Sequence, residues 1–319
     1  MTGVSPGRVT RSTAGDAALS TEDVSPRFAD LDLWPTHDIV QAMLEGQLAA
    51  AAAVQSQAER IARAAEEAAA RLRAPNGRLI YVGAGTSGRV AAMDGVELGP
   101  TFDWGGAQVA YLLAGGREAL LSSVEGAEDD AAAGAAEMQG LAPTASDVAV
   151  CVAASGRTPY TIAAARAAGD AGALTVGFAN NAGSPLLQAV AHPILLDTGA
   201  EIVAGSTRMK AGTAQKIALN TFSTAVMVRL GRVYGGFMIS MRLANRKLQG
   251  RALGMIGAVA HVEEAVARDA LERAGGDIKL AVLIALGATP EQGEASLRAV
   301  GGDLRAAIER SNSSRHRQL

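Results

Sequence analysis

The sequence predicts an α/β protein: a parallel β-sheet covered by helices on both faces, preceded by helices and followed by a small all-helical module. Between residues 78 and 197, short apolar segments rich in β-branched residues alternate with helix-compatible segments. This alternation is typical of βαβ units, whose strands are parallel and buried on both faces. Beyond about residue 258 the apolar residues recur at helical spacing only, which predicts the terminal module.

Each element follows from a local pattern. Residues 1–20 are rich in Ser, Thr, Gly and Arg and are predicted to be a disordered tail. The segment from His37 to Arg73 has helical spacing and predicts one or two helices. Five strands are predicted at 78–83, 107–115, 147–155, 173–180 and 192–197, with helices at 86–96, 128–141, 158–169 and 206–231. The last of these helices has Ser206 or Thr207 as its expected N-cap and ends at Gly231.

The terminal module is expected to break at glycine pairs and at a proline. The breaks are Gly275-Gly276, Thr289-Pro290 and Gly301-Gly302. We therefore expect a main domain over residues 21–250, a helical module over 251–310 and a tail over 311–319.

Composition excludes several classes of protein. The chain has 319 residues, a formal charge of -3 and 49% hydrophobic residues, so it can bury a sizeable core but lacks the basic excess of a general nucleic-acid binder. Its apolar segments fall short of the roughly 20 residues that a membrane span needs. The single cysteine, Cys151, lies in an apolar strand and is expected in the core. With no apolar leader at the N-terminus, we expect a cytoplasmic protein.

The first loop with a chemical signature is GAGTSG at 83–88, directly after a buried strand. It matches the dinucleotide pattern G-x-G-x-x-G, but the second strand ends in YLLAGG without the carboxylate that would hold a ribose. The hydroxyls of Thr86 and Ser87 beside free N–H groups at a helix start suit a phosphate monoester better. The alternative is a plain strand-to-helix turn with hydroxyl capping.

A second loop repeats this design after another apolar strand. In ASGRTPY (154–160), Ser155, Gly156, Arg157 and Thr158 precede a helix that begins near Pro159. Ligands of open parallel sheets bind beyond the carboxyl ends of the strands. Two hydroxyl-rich loops at that edge therefore favour a phosphate site over mere turn chemistry.

These motifs resemble a known family. GAGTSGR and AASGRTPY look like the two ligand loops of the sugar isomerase (SIS) fold, and GAEIVAGSTRMKAGTAQK (199–216) is similar to the signature that N-acetylmuramic acid 6-phosphate etherases share with the glucokinase regulatory protein. The likeness extends from about residue 77 to the C-terminus. It implies an SIS-type three-layer sandwich and a carbon-oxygen lyase that removes D-lactate from N-acetylmuramic acid 6-phosphate in cell-wall recycling, without metal or redox cofactor.

The resemblance also implies two catalytic glutamates. Glu97 in VELGPTF and Glu128 in VEGAEDD stand in the contexts of the family's acid and base, respectively. A carboxylate removes the C2 proton of the open-chain sugar while a carboxylic acid protonates the departing lactate oxygen. From the residues alone, Glu128 could equally belong to an acidic cluster at a helix start, whereas Glu97 is a lone carboxylate in an apolar segment.

The resemblance places further substrate contacts in the two loops and in the 199–216 signature. Two of the four lysines of the chain, Lys210 and Lys216, lie in this signature although the composition favours arginine. We expect Lys210 to make a contact that arginine cannot reproduce; the alternative is a solvated helical face. The predicted substrate-binding residues are Gly85, Thr86, Ser87, Gly88, Ser155, Gly156, Arg157, Thr158, Glu201, Ser206 and Lys210.

The length of the helix between Thr86 and Glu97 predicts that the protein forms a homodimer. A helix from Thr86 to Glu97 spans about 16 Å, farther than a phosphosugar reaches. Either the chain folds back before Glu97, or a second subunit completes the site, and we expect a homodimer with shared sites.

Two other functions stay open at this point: a non-catalytic phosphosugar-sensing regulator and an aldose–ketose phosphosugar isomerase. None of the histidines has metal-ligand spacing, so no metal site is expected.

Overall fold

The computed structural model describes residues 20–315. The predicted tail over 1–20 lies outside the described residues except for Ser20, as do residues 316–319 of the predicted C-terminal tail.

A five-stranded parallel sheet forms the centre of the main domain, in the order β2-β1-β3-β4-β5. Each strand lies within the segment predicted for it, so the sheet prediction is confirmed. The strands are β1 (Leu79–Gly83), β2 (Val109–Leu113), β3 (Val148–Val152), β4 (Leu174–Ala179) and β5 (His192–Leu195).

Helices cover both faces of the sheet. The helices of this part are α1 (Thr36–Gln55), α2 (Ala58–Leu72), α3 (Gly85–Phe102), α4 (Ala131–Gly140), α5 (Pro159–Asp170), α6 (Pro185–Ala189) and α7 (Lys210–Arg229). Alternate side chains of each strand point to opposite faces: Tyr81 packs with α1, α2, α3 and α7, whereas Val82 packs with α4, α5 and α6. The three-layer sandwich is confirmed.

Cys151 belongs to the core that β3 shares with α4 and α5. Its side chain is fully buried, and burial raises the pKa of its thiol to about 12. The prediction that it is a core residue is confirmed.

The signature helix α7 begins later than the sequence predicts. It starts at Lys210, and neither Ser206 nor Thr207 is its N-cap. The cause is Glu201, whose two carboxylate oxygens accept the N–H groups of Lys210 and Ala211 at 3.0 and 2.9 Å. A carboxylate is favoured at this end of a helix, so the segment before Lys210 forms turns instead.

Five further helices form the C-terminal module around a separate apolar core. They are α8 (Arg246–Ala260), α9 (Glu264–Arg273), α10 (Ile278–Ala285), α11 (Pro290–Ala299) and α12 (Leu304–Arg315). The three predicted breaks are confirmed, and Thr289 forms a capping box with Gln292 at the start of α11. None of the helices in residues 20–315 is long and apolar enough to span a membrane.

Helix α3 is continuous through Glu97 and through Pro100 to Phe102. The alternative in which the chain folds back before Glu97 is therefore wrong. The rise of an α-helix separates Thr86 from Glu97 by about 16 Å along one helix.

The first loop depends on two glycines that bring α3 against β1. A Cβ on Gly88 would lie 2.2 Å from the Leu113 side chain and 2.9 Å from the carbonyl group of Gly83. A Cβ on Gly83 would in turn lie 2.8 Å from Gly88 Cα. The start of α3 reaches this position only because neither residue has a side chain.

We predict that Gly88→Ala lowers the free energy of unfolding by about 1–3 kcal/mol, because the added methyl group overpacks this contact. Chemical denaturation of the full chain measures the change. Gly254→Ala is the matched control: a Cβ there meets open space in the middle of α8, and it should raise stability by about 0.5–1 kcal/mol. Equal stability of Gly88→Ala and the parent chain would contradict the packing argument.

Candidate active site

The two hydroxyl-rich loops lie side by side at the carboxyl edge of the sheet. They follow β1 and β3, which are neighbours with Gly83 paired to Val152. The first loop leads into α3 on one face of the sheet, and the second leads into α5 on the other. Adjacent strands whose connections leave to opposite faces form the crevice in which open α/β sheets bind ligands. The structure therefore brings both predicted loops together.

The N-terminus of α3 is available to an anion. Its N-cap residue, Ala84, offers no side-chain acceptor to the first N–H groups. Thr86 is half-buried and Ser87 is buried in this first turn. The unsatisfied N–H groups and the helix dipole make such a terminus favourable for a phosphate group.

A cleft of about 470 Å³ opens at this helix terminus. Gly85 and Thr86 line one side, and the segment 122–128 after β2 lines the other. Glu128 is exposed at the end of this segment, with Glu125 also in the lining. The first loop and the predicted base thus share one cleft.

Arg89 also lines this cleft and was missed as a site residue. Its guanidinium donates to the carbonyl oxygens of Ala119 and Ser122, both at 2.8 Å. Arg89 thereby fixes the segment that carries Glu128 to the first turn of α3. The signal was present in the sequence, because Arg89 directly follows GAGTSG.

The second loop is held by its own polar contacts. Ser155 Oγ accepts the N–H group of Arg157 at 3.1 Å. Gly156 has φ +65°, and a Cβ there would lie 2.1 Å from Ser184 Oγ, so only glycine fits. Thr158 is the N-cap of α5 but its side chain makes no capping bond.

The remaining predicted contacts lie in a different place. Glu201 is fully buried and both of its oxygens bind the start of α7, and Ser206 is half-buried in the preceding turns. Neither they nor Lys210 line the cleft beside Thr86. The start of α7 is nevertheless close to this loop, since a Cβ on Gly212 would lie 3.5 Å from Thr86 Cγ2.

Lys210 is a buried residue, so the solvated-face interpretation is wrong for it. Its ammonium group donates to the carbonyl oxygen of Thr198 at 2.8 Å. Its side chain packs against α1, where a Cβ on Gly46 would lie 3.1 Å from Lys210 Cδ. It lines a separate cavity of about 320 Å³ between α1 and the loop after β5.

Glu97 is exposed on α3 and does not line the cleft that contains Glu128. One turn earlier on the same helix, buried Asp94 accepts hydrogen bonds from Tyr81 Oη at 2.7 Å and from Ser223 Oγ at 3.1 Å. Burial, together with the charge of Asp94, raises the pKa of Tyr81 well above its usual value. Asp94 thus ties α3 to β1 and α7 and fixes the face on which Glu97 stands.

One chain therefore does not bring the two predicted catalytic carboxylates together. Among residues 20–315, no group of three or more His, Cys, Asp or Glu side chains is arranged to hold a metal ion. His192 is paired with Glu67 at 2.9 Å, and this hydrogen bond lowers the pKa of Glu67.

Comparison with known proteins gives consistent results over most of the chain. A family model described as the glucokinase regulatory protein N-terminal SIS domain matches residues 59–168. The N-acetylmuramic acid 6-phosphate etherase of Deinococcus radiodurans is 47% identical over 90% of this chain and 94% of its own length. The etherases of Rubrobacter xylanophilus and Streptomyces coelicolor are 46% and 43% identical, each over 91% of this chain and over 96% and 93% of their own lengths.

We predict that Lys210→Arg lowers the free energy of unfolding by about 1–3 kcal/mol, because a guanidinium is larger than the space between Thr198 and Gly46. Thermal or chemical denaturation measures the change. Lys247→Arg, on the exposed surface of α8, is the control and should leave stability unchanged. If both variants are as stable as the parent chain, lysine has no special place at position 210.

Proposed function

The chain belongs to the family of N-acetylmuramic acid 6-phosphate etherases, and we propose that it cleaves the D-lactyl ether of N-acetylmuramic acid 6-phosphate to N-acetylglucosamine 6-phosphate and D-lactate. The identity to the etherases over nine-tenths of the chain carries this proposal. The presence of both Glu97 and Glu128 supports it, since a protein that only senses phosphosugars needs the phosphate loops but not this pair.

The phosphate group of the substrate is proposed to bind at the start of α3. The uncapped N–H groups and the hydroxyls of Thr86 and Ser87 supply donors there. The segment from Ser155 to Thr158, on the neighbouring strand, supplies further polar groups on the opposite side of the crevice. This arrangement leaves the sugar in the cleft beside Glu128.

The chemistry is an elimination followed by an addition. The carboxylate of Glu128 takes the proton from C2, which is acidic because C1 of the open-chain sugar is an aldehyde. The C2–H electrons form the C2–C3 double bond as the C3–oxygen bond breaks, and the acid form of Glu97 protonates the departing lactate oxygen. Glu97, now a carboxylate, then takes a proton from water as its oxygen adds to C3, and Glu128 returns its proton to C2.

Glu97 is proposed to act in a site completed by a second copy of the chain. About 16 Å of continuous helix separates it from Thr86 in its own chain. Met93 and Val96 beside it on α3 are 47% and 61% exposed. On α1, Val40, Leu44 and Leu48 form a second exposed apolar stripe at helical spacing. A partner subunit of a homodimer would cover such surfaces and supply or receive Glu97.

Incubation of the protein with N-acetylmuramic acid 6-phosphate, followed by enzymatic assay of D-lactate, tests the function. We expect lactate and N-acetylglucosamine 6-phosphate in equal amounts. Binding without lactate release would instead indicate a sensor. Conversion of a phosphoaldose to a phosphoketose without lactate would indicate an isomerase, and either result would contradict the proposal.

We predict that Glu97→Gln and Glu128→Gln each lower turnover by a factor of about 100 or more, because each removes a proton-transfer group. When the two variants are coexpressed, half of the dimers are mixed and one of the two sites in each mixed dimer has both glutamates. Activity should then recover to about a quarter of that of the parent protein, by the symmetry of a two-fold dimer.

Coexpression of either single variant with the double variant is the control for this experiment. None of the resulting dimers has a site with both glutamates, so it should stay inactive. If verified mixed dimers of the two single variants also stay inactive, the shared site is wrong and both carboxylates act from one chain.

A further inference from the structure

A second large cavity lies where the helical module meets the main domain. Its volume is about 570 Å³, and its lining comes from the end of α3, from the connection between α7 and α8, and from loops of the module. We call it the junction cavity and define it by Arg232, Ser240, Arg242, Gly276, Lys279 and Gly302. The first three belong to the α7–α8 connection and the last three to the module.

Two of its cations lack a carboxylate partner within the described part of the chain. Arg232 donates to the carbonyl oxygen of Phe102 at 3.2 Å and lies over the ring of Trp104. Lys279 donates to the carbonyl oxygen of Gly302 at 2.7 Å. Both bonds are to neutral carbonyl acceptors, so the nearby carboxylates act on these two charges only at longer range.

Each carboxylate around the cavity already has another hydrogen-bond or ion-pair partner. Asp103 is paired with Arg242 at 2.5 Å. Asp277 caps α10 by accepting the N–H group of Leu280, and Asp303 accepts the N–H group of Ala306. The lining therefore has three cations and two carboxylates, with the third carboxylate, Asp303, nearby.

The electrostatic state of Lys279 reflects its burial and its like-charged neighbour. Burial and, after it, the charge of Arg232 lower the pKa of Lys279 to about 8, against the opposing effect of Asp277 and Asp303. Burial also lowers the pKa of Arg232. An anion between them would favour the protonated form of both.

The hydroxyl group of Ser240 does not contribute to the donor set of this cavity. Although Ser240 lines the cavity, its Oγ is fully buried and out of reach of a ligand there. Gly276 and Gly302 also line the cavity, and since they have no side chains their backbone forms that part of its wall.

We propose that the junction cavity is a binding site for a small phosphate monoester or for phosphate itself, separate from the etherase site. A guanidinium and an ammonium group that line one cavity form a pair of donors that recognises a phosphate group. The volume lies in the range of small-molecule sites. A bound phosphate would bridge Arg232 of the main domain and Lys279 of the helical module.

Isothermal titration of the full-length protein with inorganic phosphate and, separately, with N-acetylglucosamine 6-phosphate tests this proposal. We expect two classes of site in the parent protein. Lys279→Met should weaken one class tenfold or more and leave the other class and etherase turnover without added phosphate unchanged. Tighter binding of the sugar phosphate would identify an organic ligand, and equal affinity would identify phosphate as the group recognised.

Lys247→Met is the matched control, because Lys247 is exposed on α8. A single class of site in the parent protein, or equal weakening by Lys247→Met and Lys279→Met, would overturn the proposal. Lys279→Gln removes the charge but keeps a hydrogen-bond donor at this position, and it should also weaken the same class tenfold or more, which keeps the test valid if Lys279→Met fails to fold.

The pH dependence gives an independent readout. The charged groups around Lys279 are Arg232, Arg242, Asp103, Asp277 and Asp303. Because the pKa of Lys279 is lowered to about 8, Lys279 loses its proton as the pH rises through this value. Phosphate affinity of the junction class should therefore fall as the pH rises through 8. A pH-independent affinity, or the same fall in Lys279→Met, would contradict the site. Lactate release tests the etherase function separately, so the two proposals fail independently.

Discussion

The continuity of α3 is the constraint on which the rest of the site depends. The helix begins at the first loop, where Gly83 and Gly88 allow it to touch β1, and it continues without interruption to Phe102. One straight helix therefore joins the proposed phosphate site at Thr86 to Glu97, and a phosphosugar is too short to span the distance between them. In the proposed mechanism, the acid for the cleft that contains Glu128 therefore comes from a second subunit.

The first N–H groups of α7 are bound by a carboxylate of the chain, whereas those of α3 are left for a ligand. Glu201 occupies the start of α7 with both oxygens and is fully buried there. Among residues 20–315, no carboxylate caps the start of α3 in this way. Because the chain satisfies one terminus and leaves the other free, an external phosphate is favoured at α3. Asp94 has a comparable internal function, since its bonds to Tyr81 and Ser223 hold α3 in the orientation that exposes Glu97.

Local patterns were enough to predict the elements, and long-range contacts explain what they missed. Alternation of apolar strands and helices located all five strands, and hydroxyls beside glycines located both loops. The start of α7 was misplaced because its acceptor, Glu201, lies nine residues upstream and no local rule reveals that contact. The bonds of Arg89 to Ala119 and Ser122 span about thirty residues and likewise appear only in the folded chain. Arg232 and Lys279 meet at the junction cavity from two separate segments, and neither segment alone reveals that they lie together.

A crystal structure of the protein with N-acetylglucosamine 6-phosphate bound tests the central claim most directly. The account predicts the phosphate on the first turn of α3, with Glu128 of that chain on one side of C2 and C3 of the sugar and Glu97 of the partner subunit on the other. A structure in which Glu97 and Glu128 of the same chain meet at the sugar, or in which either carboxylate is remote from C2 and C3, would contradict it.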